Sequence, residues 1–198
     1  MKPLCYFVVN FLPLRDTKYN TREHKGISKM KIGLLSDTHG WIHPRLFEHF
    51  KECDEIWHAG DIGNIETADK LAAFKPLRAV YGNIDDAVVR KVYKENLKFR
   101  IEGISVWITH IGGTPGHYDH RVRSSIYENP PGIFICGHSH IAKVMHDKKG
   151  GFLFINPGAA GYTGFHKFMT AIRFQIDDTK IHDLELIEMG ERGKAVIL

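Results

Sequence analysis

Seven side chains able to bind a metal through oxygen or imidazole nitrogen stand where apolar runs give way to turns. They are Asp37 and His39 in SDTHG, Asp61 in AGDIG, Asn83 in YGNID, His110 in WITHIGG, and His138 and His140 in CGHSH. Most lie beside or close to a glycine. Successive sites recur at intervals of 22 to 28 residues, about one strand plus its connection. A turn ordinarily carries Asn, Asp or Ser, so a pair of imidazoles two residues apart at a strand mouth needs a chemical reason. A single Asp-x-His, Gly-Asp or Gly-Asn is usually only a turn. Their joint occurrence, in order and at strand ends, points instead to a metal centre. Ligands in an open α/β sheet gather in the crevice outside the carboxyl ends of its strands, which brings all seven to one rim. The set is oxygen and imidazole without thiolate, which favours Mn, Fe or Zn over Mg or Ca, and over copper or iron–sulfur chemistry. Seven donors exceed the share one ion usually takes from protein. The natural reading is two ions sharing a carboxylate, a pair suited to clamping a phosphoryl group and ionising a water.

The elements that must position these residues are legible in the apolar pattern. KIGLLS (31–36), DEIWHAG (54–60) and LRAVYGN (77–83) read as strands. PRLFEHFKEC (44–53) and NIETADKLAAF (64–74) read as helices, with Pro44 suited to a first turn and Asn64 to a cap. Strand, helix, strand, helix, strand implies a parallel sheet with right-handed crossovers. In the second half, LKFRIEGISVWITH (97–110) reads as a hairpin about Glu102-Gly103, and 119–129 as a helix. Residues 132–137, 142–147, 151–156, 169–177 and 180–189 read as strands. The pattern therefore predicts a parallel sheet followed by an antiparallel one, packed face to face with helices outside.

Composition bounds the rest. The chain has 198 residues, 43% of them hydrophobic, and 27 basic against 23 acidic residues, a net charge of +4. That mild excess suits an anionic substrate without indicating nucleic acid. The three cysteines, Cys5, Cys53 and Cys136, form no CxxC pair and leave one over in any disulfide scheme, which fits a reducing, cytoplasmic setting. The run LCYFVVNFL (4–12) is half the length needed to cross a bilayer, and no small-x-small cleavage site follows it. Residues 1–29 are expected to be an N-terminal extension before a domain spanning 30–198, with Met30 a candidate start; the competing reading is an edge strand at 4–12.

In the order DTH, GD, GN, TH and GHSH, these motifs resemble the calcineurin-like metallophosphoesterases, and within them the small single-domain phosphodiesterase branch to which YfcE-type proteins belong. NPGA (156–159) is similar to that branch too. The resemblance covers about 30–198. It implies a four-layer αββα sandwich of two mixed β-sheets face to face with flanking helices. It implies one ion on Asp37, His39, Asp61 and His140 and another on Asp61, Asn83, His110 and His138, with Asp61 bridging. The ions would be Mn, with Fe, Zn or Ni as alternatives, and a metal-bridging hydroxide would attack phosphorus in line. The substrate would be a small phosphodiester, with a phosphomonoester or nucleotide as the alternative; homo-oligomerisation is left open. A non-catalytic scaffold like the retromer subunit of the same fold is the reading from another class, and the complete ligand set argues against it.

Many members of the larger family read GNH followed by an acidic residue, the histidine being held to protonate the leaving group or contact the phosphate. This chain reads GNID, with Ile84 in that place and Asp85 retained as a catalytic or positioning candidate. The Gly-rich loop GGTPGHYDHR (112–121) stands beside a ligand, and its His117 and His120 are candidate substitutes as general acid, with Arg121 a candidate substrate contact. His58 is a candidate for supporting the ligands, His43 for facing the substrate or capping a helix, and His166 or Lys167 for reaching the rim. Trp107 and Phe134 belong to the core.

Overall fold

In the computed structural model, which describes residues 29–193, the first apolar run is strand β1 (Met30–Leu35). The expected extension, all but Lys29, lies outside the described residues. Helix α1 (Arg45–His49), β2 (Glu55–His58), α2 (Ile65–Phe74) and β3 (Leu77–Ala79) follow. Gly33 lets α1 sit close to the sheet, because a Cβ there would lie 2.5 Å from the Phe50 ring. Helix α2 starts where Asn64 accepts a hydrogen bond from the Thr67 backbone N–H at 2.9 Å, as its sequence suggests. Next come α3 (Ala87–Val92), β4 (Asn96–Ile101), β5 (Ile104–Thr109), β6 (Gly113–Thr114), β7 (His117–Tyr118) and α4 (His120–Arg123). The described residues close with β8 (Ile133–Ile135), β9 (Ala142–Asp147), β10 (Phe152–Pro157), β11 (Phe168–Asp177) and β12 (Lys180–Glu191).

Two five-stranded mixed sheets result. The first has the order β12-β11-β1-β2-β3 and the second β4-β5-β8-β10-β9. This corrects the expectation of a parallel sheet followed by an antiparallel one. Strands β11 and β12 return to extend the first sheet antiparallel to β1, while β5, β8 and β10 run parallel in the second. Alternation reveals which side chains share a face but not which strand is the neighbour, so partner choice was invisible in the pattern.

Strand periodicity sorts the core. Ile32, Leu34 and Trp57 of the first sheet meet Val106, Ile108, Ile133, Ile135, Leu153 and Ile155 of the second in the layer between the sheets. On the outer face of the first sheet, Leu35 and Ile56 pack with Leu46, Phe50 and Leu71 of the helices. The intervening residues of the second sheet, Trp107, Phe134, Phe152 and Phe154, turn outward and pack with Tyr118, Val122 and Ile126. This fourth layer is thin. The helix expected over 119–129 is only His120–Arg123, after which the Ser125 hydroxyl bonds back to the Val122 carbonyl in a series of turns. Helix α1 is likewise shorter than its expected span and β3 shorter than the run 77–83. Helix α3 was not foreseen; Asp86 caps it by accepting from the Val88 and Val89 backbone N–H groups.

Candidate metal centre

The carboxyl ends of β1, β2, β5 and β8 open onto one rim. There the loops after β1 and β2 run side by side: Asp37 N–H donates to Gly60 O at 2.9 Å, His39 N–H to Asp61 O at 3.0 Å, and Gly40 N–H to Ile62 O at 2.8 Å. Five of the expected ligand residues adopt the left-handed backbone region: Asp37 (φ 56°), His39 (50°), Asp61 (54°), His138 (66°) and His140 (58°). Each such residue costs on the order of 1–2 kcal/mol relative to the right-handed form. Strain of this kind, concentrated in loops that share one crevice, marks a functional site.

The curled loops bring the side chains into two adjoining groups, Asp37 with His39 and His140, and Asp61 with His110 and His138; in each group the donor atoms lie within 4.8 Å of one another. Asp37 Oδ1 is 3.1 Å from His140 Nε2 and 4.0 Å from the Nε2 atoms of both His39 and His110. His110 Nε2 is 3.2 Å from Asp61 Oδ2. Asp37 thus makes the contacts that join the two groups. Asp37 Oδ1 and His110 Nε2 are buried, and despite these close approaches neither forms a hydrogen bond. Buried orphans of this kind are costly unless something charged completes them. Two divalent cations fit that need. His110 is also oriented for it: its Nδ1 donates to Ala59 O at 2.8 Å, which leaves the Nε2 lone pair facing Asp61.

The charge pattern agrees. Burial lowers the pKa of His39 and His138, which favours the neutral state a ligand needs. Burial opposes charge on His110 too, but the Asp61 and Asp37 carboxylates outweigh it and raise its pKa. Burial disfavours the Asp61 carboxylate, yet His110, the Ile84 backbone N–H and His39 overcome this and lower its pKa. Among the described residues no thiol joins either group, and burial pushes Cys53 up to about 11 and Cys136 up to about 12.

A frame of hydrogen bonds holds the ligands' loops. Asp85, placed among the catalytic candidates from sequence, is buried and accepts from three backbone N–H groups: Gly82 at 2.7 Å, Gly63 at 2.6 Å and Ile62 at 3.2 Å. Its carboxylate ties the loop of Asp61 to the loop of Asn83. The two loops touch so closely that a Cβ on Gly82 would lie 2.0 Å from Asp61 Oδ1. His58 is buried and spans the β1 and β2 loops. Thr38 Oγ1 gives its hydrogen to Ile62 O, so it accepts from His58 Nε2–H at 2.9 Å, while Gly60 N–H donates to His58 Nδ1 at 3.1 Å. Burial lowers the His58 pKa to about 4. Asn156, from the NPGA motif, donates to Gly137 O at 2.8 Å and Ser139 Oγ at 3.1 Å, bracing the loop of His138 and His140.

Asn83 is exposed and lines a cleft of about 140 Å³ with His110, Tyr81, Arg90 and Arg121. From the Gly-rich loop, Arg121 lines this cleft, whereas His117 and His120 do not. Both histidines are exposed, and His120 Nδ1 lies 3.2 Å from Asp119. His43 is buried and its Nδ1 accepts from the Arg45 backbone N–H just before α1, whose cap position is Pro44. His166 reaches the rim, where its Nε2 donates to Ser139 O at 2.9 Å, and Lys167 pairs with Glu191 at 3.7 Å. Arg192 had no motif to announce it. Its guanidinium comes from the end of β12 to within 3.4 Å of His140 Nδ1 and donates to Ala159 O at 3.1 Å.

Comparison with known proteins agrees with this geometry. A family model described as the calcineurin-like phosphoesterase superfamily domain matches residues 30–179. A probable metallophosphoesterase of Methanothermobacter thermautotrophicus is 28% identical over 168 residues, covering 81% of this chain and 94% of its own. Among solved structures, one described as a novel archaeal phosphodiesterase superposes with a TM-score of 0.63 at 22% identity, over 80% of this chain and 99% of its own. A single-site variant of Vps29 from Entamoeba histolytica gives 0.63 at 17% identity, over 80% and 99%. The two structures bear on the fold alone.

Proposed function

Because the chain belongs to the calcineurin-like phosphoesterase superfamily, we propose that it is a divalent-metal-dependent phosphodiesterase with one ion at each side-chain group and Asp61 shared between them. The observation that carries the metal reading is the pair of buried, unbonded atoms, Asp37 Oδ1 and His110 Nε2, facing each other across the join of the two groups at 4.0 Å; the sharing of Asp61 is supported by its electrostatic interaction with His39 of the other group as well as with His110. Asp37, His39, Asp61 and His140 would hold one ion; Asp61, Asn83, His110 and His138 would hold the other. The ions, when bound, supply a hydroxide nucleophile at neutral pH and neutralise charge on the phosphoryl oxygens. The nitrogen- and oxygen-rich donor set supports Mn, with Fe, Zn or Ni as alternatives.

The chain's own residues supply the rest. His110, pinned by Ala59 O, keeps one nitrogen directed into the site. Asn83 and Arg121 line the cleft next to it and would receive one ester arm of a small phosphodiester. The same contacts could accept a phosphomonoester or nucleotide, and the substrate panel below separates these. The unpaired, protonated thiols of Cys53 and Cys136 support a reducing, cytoplasmic setting, and no described helix is long and apolar enough to cross a membrane. A scaffold of this fold would have no use for five strained ligand residues, and the completeness of both groups supports catalysis over that reading.

The test strips the protein of metal, reloads it with Mn, and assays bis-p-nitrophenyl phosphate against p-nitrophenyl phosphate. Metal-dependent turnover favouring the diester is expected, with Asp61→Ala losing both ions and activity together. An Asp61→Ala protein that retains two ions and turnover would sink the dinuclear assignment. A preference for the monoester would replace the diesterase reading with the phosphatase one, and a fully loaded protein inert toward both would favour a scaffold.

A further inference from the structure

Two imidazoles of the centre turn their Nδ1 atoms toward opposite chemistry. His110 Nδ1 meets a carbonyl, Ala59 O at 2.8 Å, so its proton lies there and Nε2 keeps a free lone pair. His140 Nδ1 meets a guanidinium instead, Arg192 Nη1 at 3.4 Å. An arginine carries donors and no acceptor. His140 Nδ1 is therefore the acceptor, and the neutral ring keeps its proton on Nε2, the nitrogen 3.1 Å from Asp37 Oδ1. His39 Nε2, at 3.3 Å, is placed to accept that hydrogen. Donors thus run from Arg192 through His140 to His39, and they occupy imidazole lone pairs that a cation needs. The guanidinium is held there by little. Its Nη2 donates to Ala159 O at 3.1 Å and its Nη1 lies 3.5 Å from Thr163 O, while its Nε is buried without a hydrogen bond. Burial works against its charge and the Asp37 carboxylate works for it. Gly164 makes room for it, since a Cβ there would lie 2.5 Å from His140 Nδ1 and closer still to Arg192 Nη1.

We propose that Arg192 is a positioning residue that fixes His140 in the Nε2–H form in the metal-free protein and must release the ring before an ion binds at the Asp37–His39–His140 group. Ligation through Nε2 moves the proton to Nδ1, where it would meet Arg192 donor to donor. Ligation through Nδ1 needs the place of the guanidinium itself. In either case a divalent ion on Asp37 cancels the attraction that favours Arg192 there and adds a repulsion. The Asp61–His110–His138 group, whose His110 is preset by a carbonyl, fills first. The ion beside Asp37 is the later one and the more readily lost. This inference rests on the two-ion reading.

The test titrates the metal-free full chain with Zn, a diamagnetic ion, by calorimetry, and reads ring tautomers by long-range proton–nitrogen NMR. Two binding steps are expected, and His39→Ala should abolish the weaker one. Arg192→Gln, whose amide oxygen can accept from Nδ1–H, should tighten the weaker step by about 10–100-fold, the scale on which groups that orient a ligand act, and leave the tighter step within about twofold. Arg192→Lys, which keeps a charged donor, should leave both steps as they are. In the metal-free chain the His140 ring, identified by the signal lost in His140→Asn, should carry its proton on Nε2; in Arg192→Gln it should carry it on Nδ1. An arginine that only braced the loop would move neither the tautomer nor the gap between the steps. A weaker step that loosens in Arg192→Gln, two steps of equal strength in the unaltered chain, or a His140 proton on Nδ1 in the unaltered chain each overturns the inference; the last needs no variant at Arg192 to fold. A single Zn per chain, with His140 still Nε2–H and shifted by Arg192→Gln, would fail the two-ion reading and leave the hold of Arg192 on the ring standing.

Discussion

A single imidazole can serve the fold and the site at once. His110 gives its Nδ1 proton to Ala59 O, and the same bond decides that Nε2 is the atom offered to a cation. His110→Ala should therefore release the ion of its own group first and leave about one ion per chain, read by metal analysis. Ile84 presents the opposite case, a side chain that can carry no proton. Its backbone N–H holds Asp61 Oδ1 at 3.0 Å while its side chain is 45% exposed. General acid assistance is typically worth about 10²–10⁴-fold. Without it the rate should depend steeply on leaving-group pKa, with aryl diesters cleaved far faster than alkyl ones. Ile84→His should flatten that dependence, raising alkyl diester turnover by at least about tenfold. A flat dependence in the unaltered chain that steepens in His117→Ala or His120→Ala would assign the acid to the Gly-rich loop instead.

Loops, not strands, carry the candidate ligands, and other elements hold those loops to one another. Asp85 is the strongest tie, one carboxylate accepting from three backbone N–H groups on two loops. Asp85→Ala would leave those donors buried without partners, at roughly 1–3 kcal/mol for each that finds no water. The expected result is a loss of at least about 2 kcal/mol in urea unfolding. Weaker metal binding should accompany it, because Asp61 and Asn83 would no longer be tied together. Full metal affinity in a protein destabilised by that amount would show that Asp85 serves the fold alone. His58 performs the same task between the β1 and β2 loops, and His58→Ala should lower metal affinity by about 10–100-fold, as for other groups that orient ligands.

Across the whole molecule, pH acts through the histidines. Burial lowers the pKa of His39, His43, His49, His58 and His138, whereas the carboxylates around His110 raise its pKa. A histidine held neutral in the fold but free to charge when unfolded gives the unfolded chain more bound protons below its ordinary pKa of 6.5. Stability contributed by such groups is full above that pH and is lost as pH falls toward their folded values; His110 acts in the opposite sense and is outnumbered. The urea midpoint of the metal-free protein should accordingly drop between pH 7.5 and pH 5. Saturating Mn should raise the unfolding free energy at pH 7.5, by about 2.7 kcal/mol when free metal stands at 100 times its Kd. We also propose that a chain begun at Met30 unfolds at the same temperature and cleaves a diester as fast as the full chain. A loss of several degrees would assign a packed element to LCYFVVNFL.

The sequence by itself singled out the side chains that the rim gathers into two groups, because metal chemistry admits few residue types and strand ends are where an α/β sheet presents them. It also determined most strands, the Asn64 cap and the Glu102-Gly103 hairpin, since these depend on periodicity and local turn chemistry. It determined the faces as well: Trp107 and Phe134 are buried, as their pattern required. What it could not contain was partnership. That β11 lies beside β1, and that β5, β8 and β10 run parallel, depends on which apolar faces fit together across the sandwich. The roles of the remaining polar residues depended on that docking. Asp85 and His58 became ties, and Asn156 a brace, only once distant loops were in contact. Arg192 reaches His140 across 52 positions of chain. Tertiary structure also decided that Asp37 Oδ1 and His110 Nε2 would be buried and left without hydrogen bonds, because desolvation is a property of the packed molecule and not of any local stretch of sequence.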